Sequence, residues 1–512
     1  MFIRNKSNND KKNGPRKDAA DSEISFSSVL ETNLQIIKTL FNKDDTLAFR
    51  RFKNQQAPDV ECCIVFIDGV VKPETVDQNI IQPIVTNLLL ENNSNCLNAL
   101  QYQVLISDHV EQTSEVPKVV EAIINGNTAL FLDGVDQALT INSAGWKTRS
   151  VEEPQGEKVL RGPREGFTES VLTNLSLIRR RLKTANLKFQ ARAFGRQSNT
   201  KAYLCYIEGI ANPQILDELN KRLDAVDLDA VLDSGYIQEL IKDSPLSPFK
   251  TIGSTERPDV VAAKLLEGRI ALLIDGTPVA LTLPHVFIEL FQVNEDYYVN
   301  FYYSSFNRIL RIISFWISIS LPAVYLALVT YHQELVPTPL IISISAARQG
   351  IPFPSLLEAI LLIIVFEIIR EAGTRMPSYI GQALSIVGGL VIGQAAVQAK
   401  FVSAPIIIIV AMTGITGLMI AKLKGATIVL RFILLLLASI LGLYGYIFGI
   451  SGLLIHLFQL RSFGVPYMTG MMTIDPDDLK DITIRSPWWY MKRRPKFIGK
   501  NNPIRQNTEE GS

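Results

Sequence analysis

Two carboxylates stand inside one apolar run, LLEAILLIIVFEIIREAGTRMP, over residues 356–377. At mid-bilayer an acidic side chain costs roughly 2.5–3.5 kcal/mol, so Glu358 and Glu367 require a compensating role. A helix turns about 100° per residue, which puts the two on opposite faces. Glu367 is followed by Arg370 and Glu371 at i+3 and i+4, the spacing of an intrahelical ion pair near a helix end. Glu358 has only Leu361, Leu362 and Val365 at its helical neighbour positions. Two readings follow for it. A protonated Glu358 can hydrogen-bond another helix, or Glu358 can face a water-filled path ringed by copies from identical subunits, with Leu362 and Val365 as an apolar constriction.

The elements that position these groups follow from composition. The 512-residue chain is 47% hydrophobic and 20% charged, with Lys+Arg 51 against Asp+Glu 50, so no global charge points to nucleic acid. Apolar residues concentrate after Ile309, and charges concentrate before it and after Arg461. The organisation expected is a disordered polar tail at 1–24, a first α/β module at 25–150, a linker at 151–166 and a second α/β module at 167–293. An interfacial segment at 294–311, a transmembrane domain at 312–460 and a tail at 461–512 complete it. The lysine-rich N-terminus lacks the apolar core of a secretory signal, which places the modules in the cytosol. Cys62, Cys63, Cys96 and Cys205 show no metal-ligand spacing and read as thiols in a reducing compartment.

The soluble half reads as an internal duplication. FSSVLETNLQIIK from Phe26 recurs as FTESVLTNLSLIR from Phe167; CIVFIDGVVKPETVD, ending at Asp77, recurs as YLCYIEGIANPQILD, ending at Asp217; GNTALFLDGVDQALT recurs as GRIALLIDGTPVALT. Each module reads as helix, strand, helix, helix, strand, with strands at 64–67 and 129–132 in the first copy and at 204–207 and 271–274 in the second. Asp133 and Asp275 read as turn residues. No P-loop, GxSxG, HExxH or GxGxxG is present here, and neither catalysis nor a cofactor is expected. In the linker, RGPREGF offers Arg161 and Arg164 either as solvated side chains or as contacts to a neighbouring module or subunit.

In the apolar half, 312–331 is long enough to span, since about 20 residues suffice. Spans are also expected near 380–399, 403–421 and 432–457, with a re-entrant or outer-face segment at 337–354. Gly388, Gly389 and Gly393 would permit close packing in one span, and Gly442, Gly445, Gly449 and Gly452 in another. Four to five spans leave the side of the C-terminus open. The aromatic and basic tail segment SPWWYMKRRPK favours the cytosolic leaflet, with anionic lipids as contacts.

The stretches RGPREGFTESVLTNLSLIRRRLK, PFPSLLEAILLIIVFEIIREAGTRMP and IGQALSIVGGLVIGQAAVQAKFVSAPIIIIVAMTGI closely resemble the A subunit of spore germinant receptors, the GerA family of endospore-forming bacteria. The resemblance implies a multi-pass protein of the spore inner membrane with its α/β region on the core side. It implies a transporter-like B subunit and a lipoprotein C subunit as partners, with germinant recognition assigned to the B subunit. It also implies a homo-oligomer forming a germinant-gated path for monovalent cations, lined by the helix from Ser355 to Ile369. The competing readings are a proton-coupled secondary transporter, against which stands the lack of an inverted repeat in the apolar half, and a static membrane scaffold.

Overall fold

The structure is a computed structural model that describes residues 25–55, 61–86, 96–107, 109–145, 153–154, 156–376, 388–389, 391–470, 481–495, 498, 502 and 504–505. The expected polar tail at 1–24 and most of the first half of the expected span near 380–399 lie outside these. The chain forms two compact units: Met1–Val151 with Leu172–Ala191, and Glu152–Val171 with Arg192–Ser512. All but the first of the expected linker residues therefore belong with the second unit, and one division falls inside the helix Val171–Arg181.

The first sheet has five strands in the order β1-β2-β4-β5-β3, from β1 (Leu47–Lys53), β2 (Glu61–Ile67), β3 (Val110–Thr113), β4 (Thr128–Leu132) and β5 (Ala138–Ile141). Its pairings are antiparallel. Alternation divides the central strands between two cores. Cys63, Val65, Ala129 and Phe131 face the helices Leu30–Leu40 and Val116–Ile124, whereas Cys62, Ile64, Leu130 and Leu132 face the short helical turns between 73 and 104. A strand buried on both faces reads as a continuous apolar run, which is why the sequence marks β2 and β4. It does not mark β1, an edge strand carrying Arg50 and Arg51 outward, nor the four-residue β3 and β5. Burial pushes the Cys62 thiol up to about 12 and the Cys63 thiol to about 11, which leaves both protonated and unreactive at neutral pH.

The second sheet has the corresponding order β6-β7-β9-β10-β8, from β6 (Leu187–Phe194), β7 (Thr200–Ile207), β8 (Gly253–Thr255), β9 (Ile270–Ile274) and β10 (Ala280–Leu283). Asp133 and Asp275 occupy matching places. Asp133 Oδ1 accepts the Leu30 amide at 3.0 Å, and Asp275 Oδ1 accepts the Val171 amide at 3.0 Å, so each acid answers an orphan N–H at the start of its module's first helix. The next residue in each turn, Gly134 or Gly276, takes φ of 83° or 86°, a region costly for other residues. Substituting Asp275 by Ala is expected to cost about 1 kcal/mol, read as a lowered thermal midpoint of the full chain in detergent. An unchanged midpoint would show that water replaces the carboxylate at no cost.

The helical region begins with one continuous helix, Phe301–Thr330, which joins residues 301–311 of the expected interfacial segment to the first expected span. Helices Thr338–Arg348, Ser355–Arg375, Ala404–Leu418, Lys424–Leu441 and Leu443–Gln459 follow. Among the described residues, two helices, Phe301–Thr330 and Ala421–Leu441, are long and apolar enough to cross a membrane. The single span expected at 432–457 is instead a hairpin broken at Gly442, whose φ of 60° and ψ of −138° suit glycine. An unbroken apolar composition carries no mark of such a reversal. Gly445 and Gly449 close the hairpin: a Cβ there would lie 2.1 Å from the Leu437 carbonyl oxygen and 2.5 Å from Leu434 Cδ2. Gly388, Gly389, Gly393 and Gly452 meet nothing within 4 Å.

The chain after the hairpin returns to the second sheet. Ser462 Oγ donates to the Thr251 carbonyl at 2.6 Å, and Tyr467, fully buried among Phe249 and Phe287, donates to the Lys250 carbonyl at 2.8 Å. Further on, Asp481 accepts from Arg308 Nη1 at 2.8 Å and from the Tyr297 hydroxyl at 2.6 Å. The tail segment 481–490 thus packs on the beginning of the first long helix, at the sheet end of the helical region.

Candidate functional site

Glu358 lies in the first turn of the helix Ser355–Arg375 and is 1% exposed. Its Oε2 accepts both the Ser403 amide and the Ser403 hydroxyl, each at 2.9 Å. Ser403 is the N-cap of the helix Ala404–Leu418, so the carboxylate satisfies a donor at that helix's positive end. Arg348 Nη2, at the end of the preceding short helix, lies 3.7 Å from Glu358 Oε1. Three segments therefore meet on one carboxyl group. Local helical spacing could not find these partners, which stand far from it along the chain.

Glu367 sits on the same helix among basic groups. It pairs with Arg370, one turn on, and Arg431 Nη1 reaches its Oε1 at 3.1 Å. Arg431 is 1% exposed, and its other nitrogens donate to the Ser318 carbonyl at 3.0 Å and the Ser318 hydroxyl at 2.9 Å. Glu371 is separate from this cluster: it accepts from Arg375 Nε at 3.0 Å and lies 3.4 Å from Lys424 Nζ. Sequence reasoning passed over Arg431. The signal was present as a lone arginine within the apolar stretch GATIVLRFILLLLASIL, where a charge implies a partner.

These anchors divide the helix into two faces. Ser355, Glu358, Ala359, Leu362 and Ile363 are buried within the chain, Val365 is half-buried, and Leu357, Leu361, Ile364 and Ile368 are exposed. Leu362 packs with Leu326, Ile406 and Leu435, so in one chain it faces neighbouring helices.

Arg161 and Arg164 are exposed, with Arg164 Nε 4.0 Å from Glu153 Oε1. The linker is held by a different arginine. Buried Arg257 donates to the Glu157 carbonyl at 3.2 Å and the Pro163 carbonyl at 2.7 Å while pairing with Asp259.

At the foot of the second sheet lies a charged cluster of Lys264, Arg269, His285 and Glu289. Burial favours a raised Glu289, but the Arg269 guanidinium, 2.7 Å away, and the Lys264 ammonium, also at 2.7 Å, hold its carboxyl well below the usual range. Burial also holds the His285 imidazole below its ordinary value, against the pull of Glu289. Both groups bind protons less readily folded than unfolded, so both contributions are present at neutral pH and are lost in acid. The His285 loss begins as pH falls through about 6.5, the Glu289 loss through about 4.3. The thermal midpoint is expected to fall between pH 7 and 4.5, and His285→Gln to flatten the part above pH 5.5. A flat profile in the parent would show that other groups compensate.

The fold and these sites define a class: a chain with two antiparallel sheets packed with helices, followed by an apolar helical region that carries buried charges. The family model described as Bacillus/Clostridium GerA spore germination protein matches residues 35–497. Relatives include the "Uncharacterized membrane protein YfkQ" of Bacillus subtilis, 43% identical over 92% of each chain. "Spore germination protein KA" of Bacillus subtilis is 39% identical over 100% of this chain and 95% of its own. "Spore germination protein GerLA" of Bacillus cereus is 39% identical over 85% of this chain and 89% of its own. The crystal structure of the N-terminal domain of the A subunit of the Bacillus megaterium spore germinant receptor GerK3 is 32% identical, covering 51% of this chain and 97% of that one with a TM-score of 0.42. The chain belongs to the GerA family of spore germination proteins.

Proposed function

We propose that this chain is the A subunit of a nutrient germinant receptor, a multi-pass protein of the spore inner membrane that assembles with copies of itself into a germinant-gated path for monovalent cations. The α/β modules, read as duplicates on the strength of their shared strand order and matching Asp-Gly caps, lie on the core side. A transporter-like B subunit and a lipoprotein C subunit are its partners. Family membership supports the receptor role, and two helices long and apolar enough to span support a membrane location.

The observation that carries the conducting role is the two-faced Glu358 helix. One side of the helix is buried within the chain, with Glu358 and Glu367 at its two edges, and the other side presents Leu357, Leu361, Ile364 and Ile368 uncovered, a surface for neighbouring copies. In this reading Val365 lies at the edge of the path, while Ser355, Glu358 and Leu362 act in gating, by setting the helix against the Ser403 helix. The ligand-bound complex favours the open arrangement only insofar as it binds that state more tightly.

The test is potassium release from germinant-stimulated spores carrying Glu358→Gln or Leu362→Ala, with abundance checked by immunoblot. Release that is slowed about tenfold or more, or that proceeds without germinant, at normal abundance, is the expected outcome. Release like the parent's in both variants would remove this helix from gating.

A further inference from the structure

The second unit contains a half-open pocket of about 290 Å³. Its walls are the linker stretch 156–159, the β8 and β10 strands, the segment from His285 to Tyr297 and the residues 419–422 that precede the Arg431 helix. Most of its charges are matched within the chain. Arg257 pairs with Asp259, Lys264 with Glu267 and Glu289, and Arg311 with Asp296. Glu157 Oε2 accepts from the Thr255 hydroxyl and the Glu256 amide.

Two lysines and Glu157 on the wall have no ion pair among the described residues, and Lys422 lies within the field of Glu157 and Glu289, so the wall is left with one net positive charge. Lys422 donates to the Gln292 carbonyl at 3.3 Å, a neutral acceptor, and neither it nor Lys158 pairs with a carboxylate among the described residues. Both keep exposed side chains. An ammonium has three donors and a full charge, and one carbonyl answers neither in full. The Ser254 and Thr282 residues on the same wall add hydroxyl-bearing side chains. A cavity of this size is at the small end of ligand sites.

We propose that this cavity binds a small oxyanion, a carboxylate or phosphate group, on Lys422 and Lys158. Because Lys422 stands at the start of the candidate span Ala421–Leu441 and the opposite wall is the second sheet, the anion ties the sheet to the helical region. The group can come from a compact soluble molecule or from the headgroup of an anionic lipid. The proposal is independent of the conducting role.

The test measures thermal unfolding of the full chain in zwitterionic phosphatidylcholine nanodiscs, with sodium acetate or sodium phosphate against sodium chloride at matched ionic strength, and in nanodiscs containing phosphatidylglycerol. Acetate or phosphate is expected to raise the parent's midpoint by several degrees, with the rise lost in Lys422→Met and kept in Lys422→Arg. A rise seen only with phosphatidylglycerol, and lost in Lys422→Met, assigns the anion to a lipid headgroup. If Lys422→Met fails to fold, Lys158→Met is the reading variant, with at least half of the rise expected to be lost. Equal rises in the parent and the lysine-to-methionine variant, or no rise with any of these anions, would overturn the proposal.

Discussion

Glu367→Ala is expected to remove most of the folded protein. The substitution leaves Arg370 and Arg431 without the carboxylate that both contact, and the Arg431 side chain is 1% exposed. Removing one partner of a buried pair typically costs about 3–5 kcal/mol, because the remaining charge has neither water nor a counter-charge. Here one carboxylate serves two guanidiniums, so the loss belongs at the upper end of that range. The measurements are immunoblot abundance in the membrane fraction and the thermal midpoint of whatever protein is recovered. Glu367→Leu combined with Arg431→Met provides the control. Contacting charges couple, so the double variant is expected to be more stable than Glu367→Leu alone, whereas independent sites would make it worse. Normal abundance of Glu367→Ala would mean that the cluster is reached by water and that the arginines are solvated.

Asp44→Ala is the second large effect, and it lies in the first unit. Arg179 is 0% exposed, pairs with Asp44, donates to the Leu187 carbonyl at 3.3 Å and lies 4.6 Å from the centre of the Phe189 ring. Asp44 also accepts the Thr46 amide at 3.2 Å and the Thr46 hydroxyl at 2.7 Å. Alanine therefore strands a buried guanidinium and opens a turn, with a cost of about 3–5 kcal/mol. Denaturant unfolding of the full chain, followed by a probe in the first module, is expected to show an early transition for Asp44→Ala. Asp44→Leu combined with Arg179→Met is expected to recover part of the loss. Coincident transitions for parent and single variant would show that the pair contributes nothing net.

Much of this was legible in the sequence because it depended on short-range pattern. The runs around Ile64 and Ala129 marked β2 and β4, and their repeats marked β7 and β9, since a doubly buried strand must be apolar throughout. The Pro-to-Gly frame of PKVVEAIING marked the helix Val116–Ile124. The intrahelical pairing of Glu367 with Arg370 followed from spacing alone. The edge strand β1, with Arg50 and Arg51 turned outward, left no comparable trace, because an exposed strand is defined by its partner and not by its own composition.

What the sequence by itself determined was the kind of residue at each place: carboxylates in an apolar helix, a lone arginine in another, acids in two repeated Asp-Gly turns, glycines where backbones close up. What only the tertiary structure decided was the partner of each. It assigned Ser403 and Arg348 to Glu358, Arg431 to Glu367, Arg179 to Asp44, and a reversal to Gly442. The reason is physical: burial fixes that a charge must be compensated, but the compensating group is chosen by how distant segments pack, and a linear pattern carries no record of that choice.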